Sequence, residues 1–129
     1  MRGHRILIVD DEPSITRMLK LVLERSLPVE AFPFQDARNA LAWIDSGEAN
    51  PDAVVCDLRM PGMDGLEFCR ELKKRDFQPP VIVLSAYASS EVGKETEGLG
   101  VKALIQKPFI PKEFVELIRS VLPSGEAAV

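Results

Sequence analysis

Val54, Val55 and Cys56 form an apolar run with none of the polar alternation of a half-solvated strand, and the run stops at an acid, Asp57. Such a run needs cover on both faces, which points to a central strand of a parallel sheet with helices on either side. Residues 60–64 then carry the Pro and Gly punctuation of a turn leading into a helix. An acid at the carboxyl end of a central strand stands where open α/β sheets place their ligands. On this segment alone, Asp57 reads equally well as a cap for the turn or for the next helix.

The same pattern recurs along the chain. Residues 5–10, R-I-L-I-V-D, run apolar and end in Asp10, Asp11 and Glu12. Pro13 suits a first helical turn, and Ile15, Met18, Leu19, Val22 and Leu23 make one apolar stripe. Residues 29–34 predict a second strand, placed at a sheet edge because Pro33 lacks a ladder donor. Asp36 caps a helix with core residues Ala37, Ala40, Leu41 and Ile44, ending at Gly47, while Trp43 sits off that stripe. Asp64 caps a third helix with Leu66, Cys69 and Leu72 inward. Residues 81–85 form a fourth strand ending on Ser85, followed by a weak helix over 89–98 that contains Gly93 and Gly98, with Val92 as its main core residue. A fifth strand over 103–106 leads to Lys107, Pro108 and Phe109, and Pro111 opens a last helix with Phe114, Leu117, Ile118, Val121 and Leu122 inward. Strands alternating with helices, each connection a right-handed crossover, predict an α/β domain with a single five-stranded parallel sheet flanked by five helices.

The 129 residues suit a single domain over 5–122, with short tails at 1–4 and 123–129. His4 falls in the first tail and reads as solvated. A net charge of −4 argues against direct nucleic-acid binding and favours a cation or a basic partner. The longest apolar runs are far shorter than the roughly 20 residues of a membrane span. Cys56 and Cys69 form neither a disulfide framework nor a metal set and suit the core of a cytoplasmic protein.

In a parallel sheet the carboxyl ends of the strands share one edge, so Asp10, Asp11, Asp57, Ser85 and Lys107 converge there. An oxygen-only acid cluster suits Mg²⁺ better than zinc. A lysine and a hydroxyl opposite the cation complement an anion with several oxygens, and a phosphoryl group meets that description, with a carboxylate oxygen attacking in line. Glu12 reads as a helix-start charge rather than a ligand, and Arg59 and Tyr87 flank the acceptor.

Taken together, I-L-I-V-D-D-E, V-V-C-D-L-R-M-P-G-M-D-G, V-I-V-L-S-A and Q-K-P-F resemble the signature segments of receiver domains of two-component response regulators, from Arg5 to about Leu122. The resemblance implies a doubly wound, flavodoxin-like sheet of order 2-1-3-4-5. It implies that Asp57 accepts a phosphoryl group from a histidine kinase or phosphotransfer protein. Asp11 and Asp57 would bind Mg²⁺ directly together with the Arg59 backbone carbonyl, Asp10 directly or through water. Ser85 and Lys107 would hold phosphoryl oxygens, and the Lys107–Pro108 peptide would be cis.

The chain departs from the family at Leu104, three residues before the lysine, where many receivers carry Tyr or Phe. The output change is therefore expected to lie in ordering of the fourth helix and the adjoining strand. The face made by the fourth helix, fifth strand and fifth helix, with Glu91, Lys94, Glu95, Lys102 and Arg119, would meet an effector domain, a downstream protein or a second copy. Two other readings are a Mg²⁺-dependent phosphohydrolase and a pseudo-receiver that only binds partners. The first lacks the second acid of haloacid-dehalogenase-type enzymes, because Arg59 stands two residues after Asp57.

Overall fold

The computed structural model describes residues 3–47, 50–75, 78–86, 90–96 and 98–123. Their elements alternate: β1 (His4–Val9), α1 (Pro13–Ser26), β2 (Val29–Phe34), α2 (Ala37–Asp45), β3 (Ala53–Asp57), α3 (Gly65–Lys73), β4 (Val81–Ser85), α4 (Ser90–Thr96), β5 (Val101–Gln106) and α5 (Pro111–Val121). All four strand pairings are parallel and the order is β2-β1-β3-β4-β5, as the resemblance implied. Pro33 does lie on an edge strand.

Alternate residues of each inner strand feed two cores, as the pleat requires. Leu7, Val9, Val54, Cys56 and Val83 pack with Ala40 and Ile44 of α2 and with Phe68, Cys69 and Leu72 of α3. Ile6, Ile8, Val55, Ile82 and Leu84 pack on the opposite side with Leu19 and Leu23 of α1 and Phe114 and Ile118 of α5. Every residue of β3 and β4 is buried, so continuous apolar runs were the right signature for these strands. Among the described residues no helix is long and apolar enough to cross a membrane.

Some expectations shift. His4 belongs to β1 rather than to a solvated tail: its N–H donates to the Pro28 carbonyl at 3.1 Å, and its ring lies 3.5 Å from Asp52. The α3 core face is Gly65, Phe68, Cys69 and Leu72, with Leu66 only partly buried. A stripe counted from Leu66 misses Phe68, which stands at i+3 from Gly65 on the side that meets the sheet. On α5 the buried set is Phe114, Val115 and Ile118, with Leu117 and Val121 at its margin. Trp43 stacks on Phe32 at 4.9 Å, so its place off the α2 stripe is a packing place against β2. α4 is shorter than expected: Gly93 is inside it, but Gly98 follows its end with φ of +77°. Asp36 caps α2, and Asp64 forms a capping box with Glu67. Tyr87, Ser89, the side chains of Glu91 and Val92, and residues 124–129 lie outside the described residues.

Candidate functional site

Register brings the sequence-predicted residues together. Val9 pairs with Cys56, so Asp10 and Asp57 leave the sheet beside one another. Asp57 pairs with Leu84, and Ser85 pairs with Gln106, which delivers Lys107 to the same edge. The Lys107 N–H donates to the Ser85 carbonyl at 2.7 Å, and the Lys107–Pro108 peptide is cis, as expected.

The side chains then meet. Lys107 Nζ lies 3.1 Å from Asp57 Oδ1 and 3.2 Å from Asp10 Oδ2. The other oxygen of Asp10 accepts the Glu12 N–H at 3.0 Å, an Asx-type turn that ties the acid to the start of α1. Asp10, Asp57 and Ser85 are buried, whereas Asp11 is half-buried. One oxygen from each of Asp10, Asp11 and Asp57 falls within 4.8 Å of the others, a spacing that a single cation can bridge. With oxygen as the only donor type, this set fits a hard cation such as Mg²⁺ and not zinc.

The electrostatics follow from that crowding. Burial, and next the charge of Asp10, push the Asp57 carboxyl above its ordinary value, and Lys107 opposes them. For Lys107, burial works against the charge, but Asp10 and Asp57 outweigh it and raise the ammonium. The Lys107 ammonium thus stands among the acids as their counter-charge.

Two contributors escaped the sequence reading. A Cβ at Gly65 would stand 2.4 Å from the Asp57 carbonyl oxygen, so only glycine lets the first turn of α3 pack on the Asp57 backbone. The Gly65 N–H also donates to the Leu58 carbonyl at 2.9 Å, closing the loop. Phe68, fully buried, forms part of the core below that loop. A glycine directly after a capping aspartate was the available signal for the first. Nothing marked the second, because its burial depends on how α3 rolls onto the sheet. Arg59 is exposed at the rim with Pro61 and Asp64, and Glu12 is exposed ahead of Pro13. The two cysteines are buried free thiols, and burial pushes Cys69 up to about 11. A separate cleft lined by Leu72, Lys73, Pro79, Pro80 and Lys102 opens where β4 begins, at the other end of the sheet from Asp57.

Comparison with known proteins agrees with this geometry. The chain is 38% identical to the transcriptional regulatory protein ResD of Bacillus subtilis over 92% of its own length and 48% of that protein. It is 32% identical to sporulation initiation phosphotransferase F of the same organism, over 95% of this chain and 97% of that protein. It spans about half the length of most of the transcriptional regulators it matches. Among solved structures, the receiver domain of Francisella response regulator 1452 superposes with a TM-score of 0.83 at 28% identity, covering 92% of this chain and 96% of that one. The response regulator TrrA of Thermotoga maritima, solved in complex with Mg(2+)-BeF, does so with a TM-score of 0.80 at 31% identity, covering 93% and 100%. The family model described as response regulator receiver domain matches residues 6–119, and with the strand order and the acid edge already in place, this chain belongs to the receiver domains of two-component response regulators.

Proposed function

We propose that this receiver is a phosphoacceptor switch in which Asp57 takes a phosphoryl group from the phosphohistidine of a histidine kinase or phosphotransfer protein. The observation that carries the reading is the seating of Asp57 between the acids of the β1–α1 loop and the Lys107 ammonium, 3.1 Å away. An Asp57 oxygen attacks phosphorus, the P–N bond to the donor imidazole breaks as the P–O bond forms, and the departing electron pair stays on the imidazole nitrogen.

Asp10, Asp11 and Asp57 would hold Mg²⁺, with the Arg59 backbone carbonyl as a further oxygen donor. Bound there, Mg²⁺ supplies positive charge for the phosphoryl oxygens. Lys107 is the movable cation of the site. Its ammonium neutralises Asp10 and Asp57 beforehand and turns to a phosphoryl oxygen afterwards, with the Ser85 hydroxyl as the companion donor. The chain turns over no separate metabolite, and the only hydrolysis it carries out is that of its own acyl phosphate.

The output passes to an effector domain or a downstream protein through the α4, β5 and α5 face. Leu104, half-buried against the α3 side of the core, lacks the ring and hydroxyl of an aromatic lever, so ordering of α4 and the turn before β5 carries the signal. Amide exchange over 90–101 is expected to slow with a beryllofluoride adduct, and identical exchange with and without it removes this output reading. For the switch itself, incubation with acetyl phosphate and Mg²⁺ should add one phosphoryl group by intact mass, abolished in Asp57→Asn. Sustained turnover of phosphate esters would indicate a phosphohydrolase instead, and no adduct at all a binding-only module.

A further inference from the structure

β2 is an edge strand, and a free edge is a row of unpaired N–H and C=O groups onto which another chain can add. Its sequence, VEAFPF, is apolar apart from Glu30, and its one built-in break is Pro33, so the rest of the edge needs other cover. Successive residues of a parallel strand turn their backbone groups alternately toward and away from a neighbour. The carbonyls of Pro28 and Phe34 accept from His4 at 3.1 Å and Asp10 at 3.0 Å, so even-numbered positions face β1 and Val29, Ala31 and Pro33 face outward.

None of those three offers a free N–H. Val29 donates to the Leu27 carbonyl at 2.8 Å, and Pro33 has no N–H. Ala31 is closed on both groups by α1: its N–H donates to Glu24 Oε2 at 2.8 Å, and its carbonyl accepts from Lys20 Nζ at 2.8 Å. Lys20 and Glu24 also bond to each other at 2.7 Å across one helical turn. The pair presents to Ala31 the acceptor and the donor that a sixth strand would bring. On the opposite edge, Leu104 and Gln106 face outward, and no side chain among the described residues bonds their backbone groups.

We propose that Lys20 and Glu24 form a lock on the outer edge of β2 that prevents a second copy of this chain from adding its own β2 there. The excluded partner is a second copy because a two-fold axis beside β2 would set the same outward positions of two chains against each other, continuing one sheet into the next. The lock leaves β5 as the only open edge of the sheet among the described residues. It rests on α1 and β2 alone and is independent of the phosphoacceptor reading.

Amide exchange and association test it on the full chain. In Glu24→Ala, exchange of the Ala31 amide should accelerate about tenfold or more, while the inward-facing amide of Phe32 keeps its rate. In a Lys20→Ala, Glu24→Ala, Pro33→Val variant, sedimentation should reveal concentration-dependent dimers whose Ala31 amide regains protection as the dimer fills. An unchanged Ala31 rate in Glu24→Ala overturns the lock, and so does a folded triple variant that stays monomeric. If the triple variant fails to fold, the single-variant exchange comparison decides.

Discussion

The two halves of the site stand on differently built ground. Asp10 and Asp57 leave strands whose site-proximal residues are buried on both faces: residues 6–9 of β1 and all of β3. Lys107 follows β5, none of whose residues is fully buried and whose register slips against β4 between Val81 and Ile82. Before β5 come the seven-residue α4 and two glycines, Gly98 and Gly100, at φ near +78°. Close packing on both faces allows little displacement, whereas a half-covered edge strand can move at modest cost. The contrast teaches that Asp10 and Asp57 leave closely packed ground, while the lysine that bridges them comes from the more loosely covered part of the sheet.

Core truncation probes that contrast most severely. Phe68→Ala, under the loop that follows Asp57, should cost about 3–5 kcal/mol in urea unfolding, whereas Leu104→Ala on β5 should cost about 1–2 kcal/mol. Equal costs would mean that the two regions are equally well packed and would break the comparison. Next in size is Lys107→Met, which leaves Asp10 and Asp57 facing each other without a counter-charge. A loss of about 1–2 kcal/mol without Mg²⁺ is expected, largely restored by Mg²⁺. A loss that Mg²⁺ does not touch would assign Lys107 a packing role only.

The smallest effect concerns pH. Because the folded-state pKa of Asp57 is raised, its unfolded form releases its proton first as pH climbs past the ordinary value of 3.8. The native state then holds more protons, so stability falls as pH rises from there to the raised value and stays lower above it. Asp45 and Glu71, lowered foremost by their bonds to Arg75 and Lys74 respectively, act in the opposite sense and lose their contribution as pH falls. In metal-free protein at neutral pH, Asp57→Asn should therefore be more stable than wild type, with the gain growing as pH rises through that window. Urea midpoints of wild type and Asp57→Asn that stay parallel from acid to neutral pH would show that Lys107 already compensates the burial of Asp57.

Much of this architecture is legible in the chain because its causes are local. Apolar runs such as residues 81–84 can only be strands covered twice, Pro33 forbids a central place for β2, and Asp36 and Asp64 announce helix starts. The candidate site is legible for a related reason: parallel strands ending in Asp57, Ser85 and Lys107 must deliver them to one edge whatever the loops do. His4, Phe68 and the α4 boundary were not readable in this way. His4 is ordered by β2 and Asp52 across the sheet, Phe68 by the roll of α3, and the end of α4 by glycines whose positive φ is a property of the folded turn.

By itself, then, the order of residues determined the strand signatures, the edge position of β2 and the identity of the converging groups, since each follows from side-chain period, proline geometry and the polarity of a parallel sheet. Tertiary structure alone decided that Lys107 bridges Asp10 and Asp57 at 3.1–3.2 Å, that Gly65 lies against the Asp57 backbone, and that Lys20 and Glu24 close on Ala31. These are contacts between elements far apart in the chain, between a strand's end and the helix after it, or between a helix and the next strand's edge. Their distances are set by register, helix roll and burial, which no local pattern encodes.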